Sequence, residues 1–207
     1  MFFVDGFNLY HALDSEARYH KYKWLNLRAL ALQFSKPPYE ILQHVKYFTS
    51  YAAWKPFSTV SRHRAYVKAL QSVNVEVILG RFQEKTRTCR APGGCGLRFS
   101  VHEEKLTDVN IAVSIVEACI TKQCDILYLI SGDNDLVPAL QAAKRLCSSI
   151  EITVVLPINA KAKTLTNICH QNGYSIAKIS EPYLVASQFP EQINIGGKIY
   201  TKPPTWL

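Results

Sequence analysis

Three places in the chain put carboxylates at the boundary of an apolar run, two where a run ends and one where a run begins. Asp5 closes the run Met1 to Val4 and is followed by Gly6, Phe7 and Asn8. Ser131-Gly132-Asp133-Asn134-Asp135 follows a run that ends at Ile130, and Asp108 heads an apolar stretch entered through Glu104-Lys105-Leu106-Thr107. Carboxylates gathered at one point repel: two unit charges ~4 Å apart at an effective dielectric of ~20 cost about 4 kcal/mol. Such a cluster persists when protons or cations neutralise it, and oxygen-only donors select hard cations such as Mg²⁺ or Mn²⁺. A divalent ion held there can activate a water and offset the charge of a phosphodiester under attack. Each aspartate alone also suits a cap or turn, because its side chain accepts from nearby backbone N–H groups. Asp133 or Asp135 suits the cap of a following helix in particular. The metal reading draws its weight from three loci supplying acid together.

That convergence needs elements to position it. Met1 to Val4, Val73 to Leu79, Asp125 to Ile130 and Ile150 to Leu156 are short apolar runs without clean alternation, the pattern of strands buried on both faces. His44 to Tyr51 and Tyr174 to Ile179 add a fifth and a sixth candidate. Helices are expected between them, over Asn26 to Phe34 and Arg62 to Leu70, from Asp108 onward and after Asp135. The helix from Asp108 has Val109, Ala112, Val113, Val116, Cys119 and Ile120 on one face, with Thr107 as its N-cap. The one after Asp135 shows Leu136, Leu140, Ala143 and Cys147, with Pro138 tolerated in its first turn. Alternating strands and helices predict an α/β fold with a mostly parallel sheet covered on both faces. In such sheets ligands bind beyond the carboxyl ends of the strands, where the three acidic loci would stand.

Residues 81–102 break the rhythm. Cys89, Pro92, Gly93, Gly94, Cys95 and Gly96 read as an irregular insertion between a strand and a helix. Cys89 and Cys95, with His102 as the weakest member, are a candidate zinc site, and the same residues fit a plain loop. Cys119, Cys124, Cys147 and Cys169 are expected as small core residues. Basic residues cluster at Lys55, Arg62, Arg64 and Lys68, and at Arg81, Lys85, Arg87, Arg90 and Arg98. Trp54, Phe57, Tyr66, Phe82 and Phe99 are interleaved with them. Cations for backbone and rings for bases is how single strands are held; a solvated face over core aromatics is the alternative. From Pro190 on, an extended tail is expected to lie against a domain spanning residues 1–189.

The chain's 207 residues suffice for one sizeable core. Lys and Arg number 24 against 16 Asp and Glu, and the resulting formal charge of +8 favours polyanionic partners. No basic region precedes a long apolar stretch at the N terminus, and no run is long enough to cross a bilayer. A cytoplasmic setting with reduced cysteines is therefore expected, with no membrane partner.

Val4-Asp5-Gly6-Phe7-Asn8, Glu104-Lys105-Leu106-Thr107-Asp108-Val109 and Ser131-Gly132-Asp133-Asn134-Asp135-Leu136-Val137-Pro138 together resemble, in order and spacing, the motifs of NYN domains, a branch of the PIN-like ribonucleases. The tail around Phe189-Pro190 and Pro203 to Trp206 is similar to the end of LabA-like members. The resemblance implies a Rossmann-like PIN fold and metal-dependent cleavage of RNA. Carried over by motif, Asp5, Asp108, Asp133 and Asp135 would hold Mg²⁺ or Mn²⁺. Asn8 and Ser131 would orient the site or the scissile phosphate, and Lys105 would contact a phosphate; Arg62 and Arg64, from the basic cluster and apart from the resemblance, are expected to bind RNA. Many relatives have small residues or Gly where this chain has Leu106-Thr107. A non-catalytic RNA-binding or regulatory module on the same fold is the alternative, and an inhibitory partner protein is left open. An aspartyl phosphatase is disfavoured because Asp5 is not followed by Asp-x-Asp spacing, and no Walker loop supports ATP use.

Overall fold

The computed structural model describes residues 1–89 and 95–206; Arg90, Pro92, Gly93 and Gly94 lie outside the described residues. In chain order the elements are β1 (Phe2–Asp5), α1 (Gly6–Asp14), α2 (Leu27–Phe34), β2 (Val45–Thr49), α3 (Phe57–Ser72), β3 (Val75–Leu79), β4 (Arg81–Thr88), β5 (Arg98–Lys105), α4 (Thr107–Ile120), β6 (Ile126–Ile130), α5 (Val137–Leu146), β7 (Glu151–Leu156), α6 (Lys163–Asn172), β8 (Ser175–Lys178), α7 (Glu181–Ala186), β9 (Gln192–Ile195) and β10 (Lys198–Thr201).

The six apolar runs form one six-stranded sheet in the order β3-β2-β1-β6-β7-β8. Every neighbouring pair is parallel. Successive side chains of β1 point to opposite faces and so feed two cores. Phe2 and Val4 join the residues of α1, α2, α3 and α7, while Phe3 joins those of α4, α5 and α6. Both faces of the sheet are thus covered, the arrangement that the continuous apolar runs require. Strand order reverses between β1 and β6, which makes their carboxyl ends the crevice of the sheet. Val4 pairs with Ile130, so Asp5 and Ser131, one residue further on each, emerge side by side.

Three expectations are corrected. The segment read as an irregular insertion is an antiparallel hairpin, β4 with β5, running in register from Arg81↔Lys105 to Thr88↔Arg98. Polar residues on both faces hid these strands, because the hairpin stands off the body and neither face enters a core; it packs through Phe82 and His102 against Trp54. The face assigned to α4 is also rotated. Ile111, Ile115, Ala118 and Cys119 are buried, whereas Val109, Val113 and Ile120 are exposed. An apolar helix on every side offers periodicity no contrast, and its rotation is set instead by how the chain enters it. Finally, Thr107 is the first helical residue and not the N-cap. Leu106 holds that place, in the left-handed region with φ of 78°, the conformation a glycine adopts without strain.

The tail from Pro190 carries local structure of its own. β9 and β10 pair as a short hairpin, and a 3₁₀ turn over Pro204–Trp206 seats Trp206 beside Trp24 and Tyr66. No helix among the described residues is long and apolar enough to cross a membrane.

Candidate active site

Asp5 is the floor of the site. It is buried, and both carboxylate oxygens are engaged: Oδ1 accepts the Asn8 N–H at 3.0 Å and Oδ2 accepts the Ser131 hydroxyl at 2.9 Å. These bonds cap α1 and clamp the end of β1 to the end of β6. Gly6 is obligatory beside it, since a Cβ there would lie 2.5 Å from the Phe48 carbonyl oxygen. Asn8 extends the clamp by accepting the Gly132 N–H at 2.9 Å. The fully buried Ser131 hydroxyl also accepts the Asp133 N–H at 3.1 Å. Asp133 in turn accepts the Asp135 N–H at 2.9 Å and caps the 3₁₀ turn that leads into α5. Of the two candidate caps Asp133 therefore fills the role, and Asp135 stands exposed.

Asp108 enters from α4, whose start is organised by a residue that sequence reasoning left out of the site. Glu104 Oε1 accepts the Thr107 N–H at 3.2 Å and the Ser50 hydroxyl at 3.2 Å, and also the Thr107 hydroxyl. A carboxylate thus caps the helix N terminus from two residues before the N-cap, where anionic charge is favoured. Gly80 lies against the same knot, where a Cβ would come within 2.6 Å of Ser50 Oγ and Thr107 Oγ1. The signal for Glu104 was its place in the central motif, but only the structure shows the reach back onto α4.

The electrostatics show that the acids share one field. Burial, followed by the charges of Asp5, Asp133, Glu104 and Asp135, raises the Asp108 carboxyl to about 6. Asp5 is raised chiefly by burial, and Asp133 adds to this; the bonds from Asn8 and Ser131 oppose it. Even so, no group of three or more His, Cys, Asp or Glu among the described residues is drawn together closely enough to hold a metal ion. The four aspartates share a sheet edge without forming a closed cage. Two of them, Asp5 and Asp133, are committed to backbone N–H groups, and repulsion opposes closer approach by the exposed pair. In chemistry the set fits a hard cation, being all oxygen and over-supplied with negative charge.

Other expected residues fall differently. Lys105 pairs with Glu103 at 3.1 Å, and Glu103 also holds Lys85 at 2.8 Å and is bonded by Arg87, which brings its carboxyl down to about 2. Arg62 bonds Thr59 at 3.2 Å, and Arg64 lies over the Tyr51 ring. Tyr66 is a core residue, while Phe57 and Phe99 are exposed. His102 stacks on Trp54 and pairs across the hairpin with Glu84. At about 3.4 Å per residue that places it some ~17 Å along the strand from Cys89. Among the described residues Cys89 and Cys95 fall in no group of three or more His, Cys, Asp or Glu that could hold a metal ion.

Two recesses flank the acids. One, of about 410 Å³, is lined by Gly6, Tyr10, Tyr47, Arg62, His63 and Trp206 among others. The second, of about 260 Å³, lies between Asn8, Gly132 and Ile158 to Ala162.

The model of the NYN domain matches residues 1–177, so it spans the whole six-stranded sheet to within one residue of its last strand. The chain is also similar to the 6-hydroxy-3-succinoylpyridine 3-monooxygenase HspA of Pseudomonas putida, with 26% identity over 99% of this chain and 74% of that protein.

Proposed function

The chain belongs to the NYN domain family, and we propose that it is a ribonuclease that cleaves RNA phosphodiester bonds with Mg²⁺ or Mn²⁺. The observation that carries the proposal is the single acidic field at the β1/β6 switch point, in which Asp5, Asp133 and Asp135 all bear on Asp108. Asp5, Asp108, Asp133 and Asp135 are the residues that would hold the ion. When bound, it would supply an activated water and countercharge for the phosphate. The chain's own residues do the positioning. Ser131 and the Asn8 N–H fix the Asp5 carboxylate, and the Asn8 side chain holds the third motif through Gly132. Glu104 fixes the first turn of α4 and so the origin of Asp108. The exposed Asp108 and Asp135 form a rim open to a polymer.

The test is incubation of the purified protein with mixed RNAs in Mn²⁺, in Mg²⁺ and in EDTA, beside Asp5→Asn, Asp108→Asn and Asp133→Asn. Cleavage is expected with metal alone, and each variant is expected to lose it while melting normally. Binding of RNA without cleavage in either metal would favour a non-catalytic module; cleavage that survived EDTA and Asp133→Asn would remove the proposed mechanism.

A second reading is favoured by the relative named above, whose match runs over nearly all of this chain. It is oxygenation of a hydroxypyridine-type compound, for which the aromatic-lined recess would be the site. Oxygen uptake with 6-hydroxy-3-succinoylpyridine and a reductant, measured on the same preparation, separates the two.

A further inference from the structure

The recess beside the acids is built unlike a groove for a phosphate backbone. Its floor is apolar and aromatic: Leu9, Leu13, Tyr47, Tyr66 and Trp206 are all buried. Polar side chains line it as well, among them His11, Lys23, Thr49, Ser50, Thr59 and His63. Thr49 Oγ1 and His63 Nε2 lie 3.1 Å apart, and burial holds His63 down at about 4, so its ring is neutral near pH 7. Lys23, also buried, is neutralised by Asp14. The rim differs: Lys55 is exposed, Arg62 is half-buried with only Thr59 as a bonding partner, and neither has a carboxylate partner among the described residues. A neutral aromatic floor under an unneutralised basic rim suits a planar ring joined to an anion. The volume, about 410 Å³, is in the range of small-ligand sites.

The recess shares a wall with the acidic site. Gly6 and Phe7 line it and directly follow Asp5, while Ser50 lines it and donates to Glu104 at the head of α4. A strand whose phosphate lay at the acids would have a neighbouring base at the mouth of the recess. Trp206 comes from beyond the residues the family model matches, so the recess is completed by this chain's own tail.

We propose that this recess binds one nucleobase of the RNA substrate, turned out of the strand, with its phosphate held at the rim by Lys55 and Arg62. The proposal rests on the ribonuclease reading. It assigns the recess the choice of nucleotide next to the cut, since a ring enters it whole or not at all, whereas the acids see only phosphate.

The experiment titrates the full chain in EDTA with AMP, GMP, CMP and UMP, and with ribose 5-phosphate and nicotinate as controls. Calorimetry and tryptophan fluorescence, to which Trp206 contributes, read the binding. At least one nucleotide is expected to bind about tenfold or more tighter than ribose 5-phosphate, the scale of one base stacked on aromatic rings. Arg62→Gln with Lys55→Gln is expected to weaken it by a similar factor without lowering the melting temperature. Equal binding of ribose 5-phosphate, binding of nicotinate but of no nucleotide, or indifference to the rim substitutions would each overturn the proposal. Because EDTA removes turnover, failure here is distinct from failure of the ribonuclease reading: nucleotides bound by a protein that never cleaves RNA would sink the latter, and cleavage without nucleotide binding would sink only the recess.

Discussion

Asp133 serves two physical ends, and they can be separated by choice of substitution. Its side chain caps the turn before α5, and its charge contributes to the field that raises Asp108. Asn caps about as well as Asp, whereas Ala forfeits about 1 kcal/mol. Asp133→Asn is therefore expected to melt near the wild type and Asp133→Ala several degrees lower, with both inactive on RNA; equal melting of the two would refute the capping role. Acid titration separates two other residues with opposite signs. His63 protonates in the unfolded chain near 6.5 but only near 4 when folded. Between those values the unfolded state binds the extra proton, so this term lowers stability as pH falls. Asp108 is the reverse: its carboxyl, normally near 3.8, keeps its proton to about 6 in the folded apo-protein, so that stability is lost as pH rises through the same window. In the wild type the two oppose. In EDTA from pH 4 to 7, His63→Gln should therefore gain less stability with rising pH than the wild type, and Asp108→Asn should gain more.

At the scale of elements, the entry to α4 decides where Asp108 points. Leu106 pays steric strain at φ of 78° while the residue is 45% exposed, so little packing compensates. Left-handed backbone costs a non-glycine residue about 1–2 kcal/mol, against roughly 0.4–1 kcal/mol of unfolded-state entropy that glycine restores. Leu106→Gly should thus raise the melting temperature slightly or leave it unchanged, with cleavage retained; a clear drop would mean that the leucine side chain holds something in place. Gly80→Ala should do the opposite, pressing on the Ser50–Thr107–Glu104 knot and costing about 1–3 kcal/mol, the range for overpacking. This entry also shows what was legible in the sequence. The six strands were, because burial on both faces writes apolar runs that end in chemistry-bearing residues. The buried stripe of α5 was, because polar residues on its other side give contrast. The face of α4 was not, since Val109, Val113 and Ile120 are as apolar as the buried Ile111 and Ile115. Nor was the β4–β5 hairpin, which buries too little to show a period of two. The acidic loci could be found from strand ends; Glu104's role could not, because its bonds to Thr107, three residues on, accompany a left-handed turn at Leu106, and its bond to Ser50 depends on the fold.

Over the whole molecule, a formal charge of +8 says only that a polyanion is attracted; where it is attracted depends on which cations are already paired. The odd-numbered residues of the β4–β5 hairpin share one face, and Arg81, Lys85, Arg87 and Lys105 are on it with Glu103 at their centre. Glu103 contacts three of those four cations. All of these groups are surface charges, so the pairs add little to stability, and a passing phosphate competes for the same donors at modest cost. Each phosphate contact by a cation contributes about 0.7 to the slope of log affinity against log salt for single strands. If RNA leaves the acidic site along this hairpin, Lys85→Gln with Arg87→Gln should weaken binding and flatten that slope, as should Arg62→Gln with Arg64→Gln on α3. Glu103→Gln should act in the opposite sense: it releases three cations while removing one competing anion, so affinity at low salt should rise and the slope steepen, with the melting temperature nearly unchanged. Filter binding of a single-stranded RNA over a salt series measures all three variants. Tighter binding from the loss of a carboxylate cannot come from damaged folding, so Glu103→Gln is the sharpest of them. No gain in affinity would move the RNA path off the hairpin and leave it to α3 and the aromatic-floored recess that α3 lines.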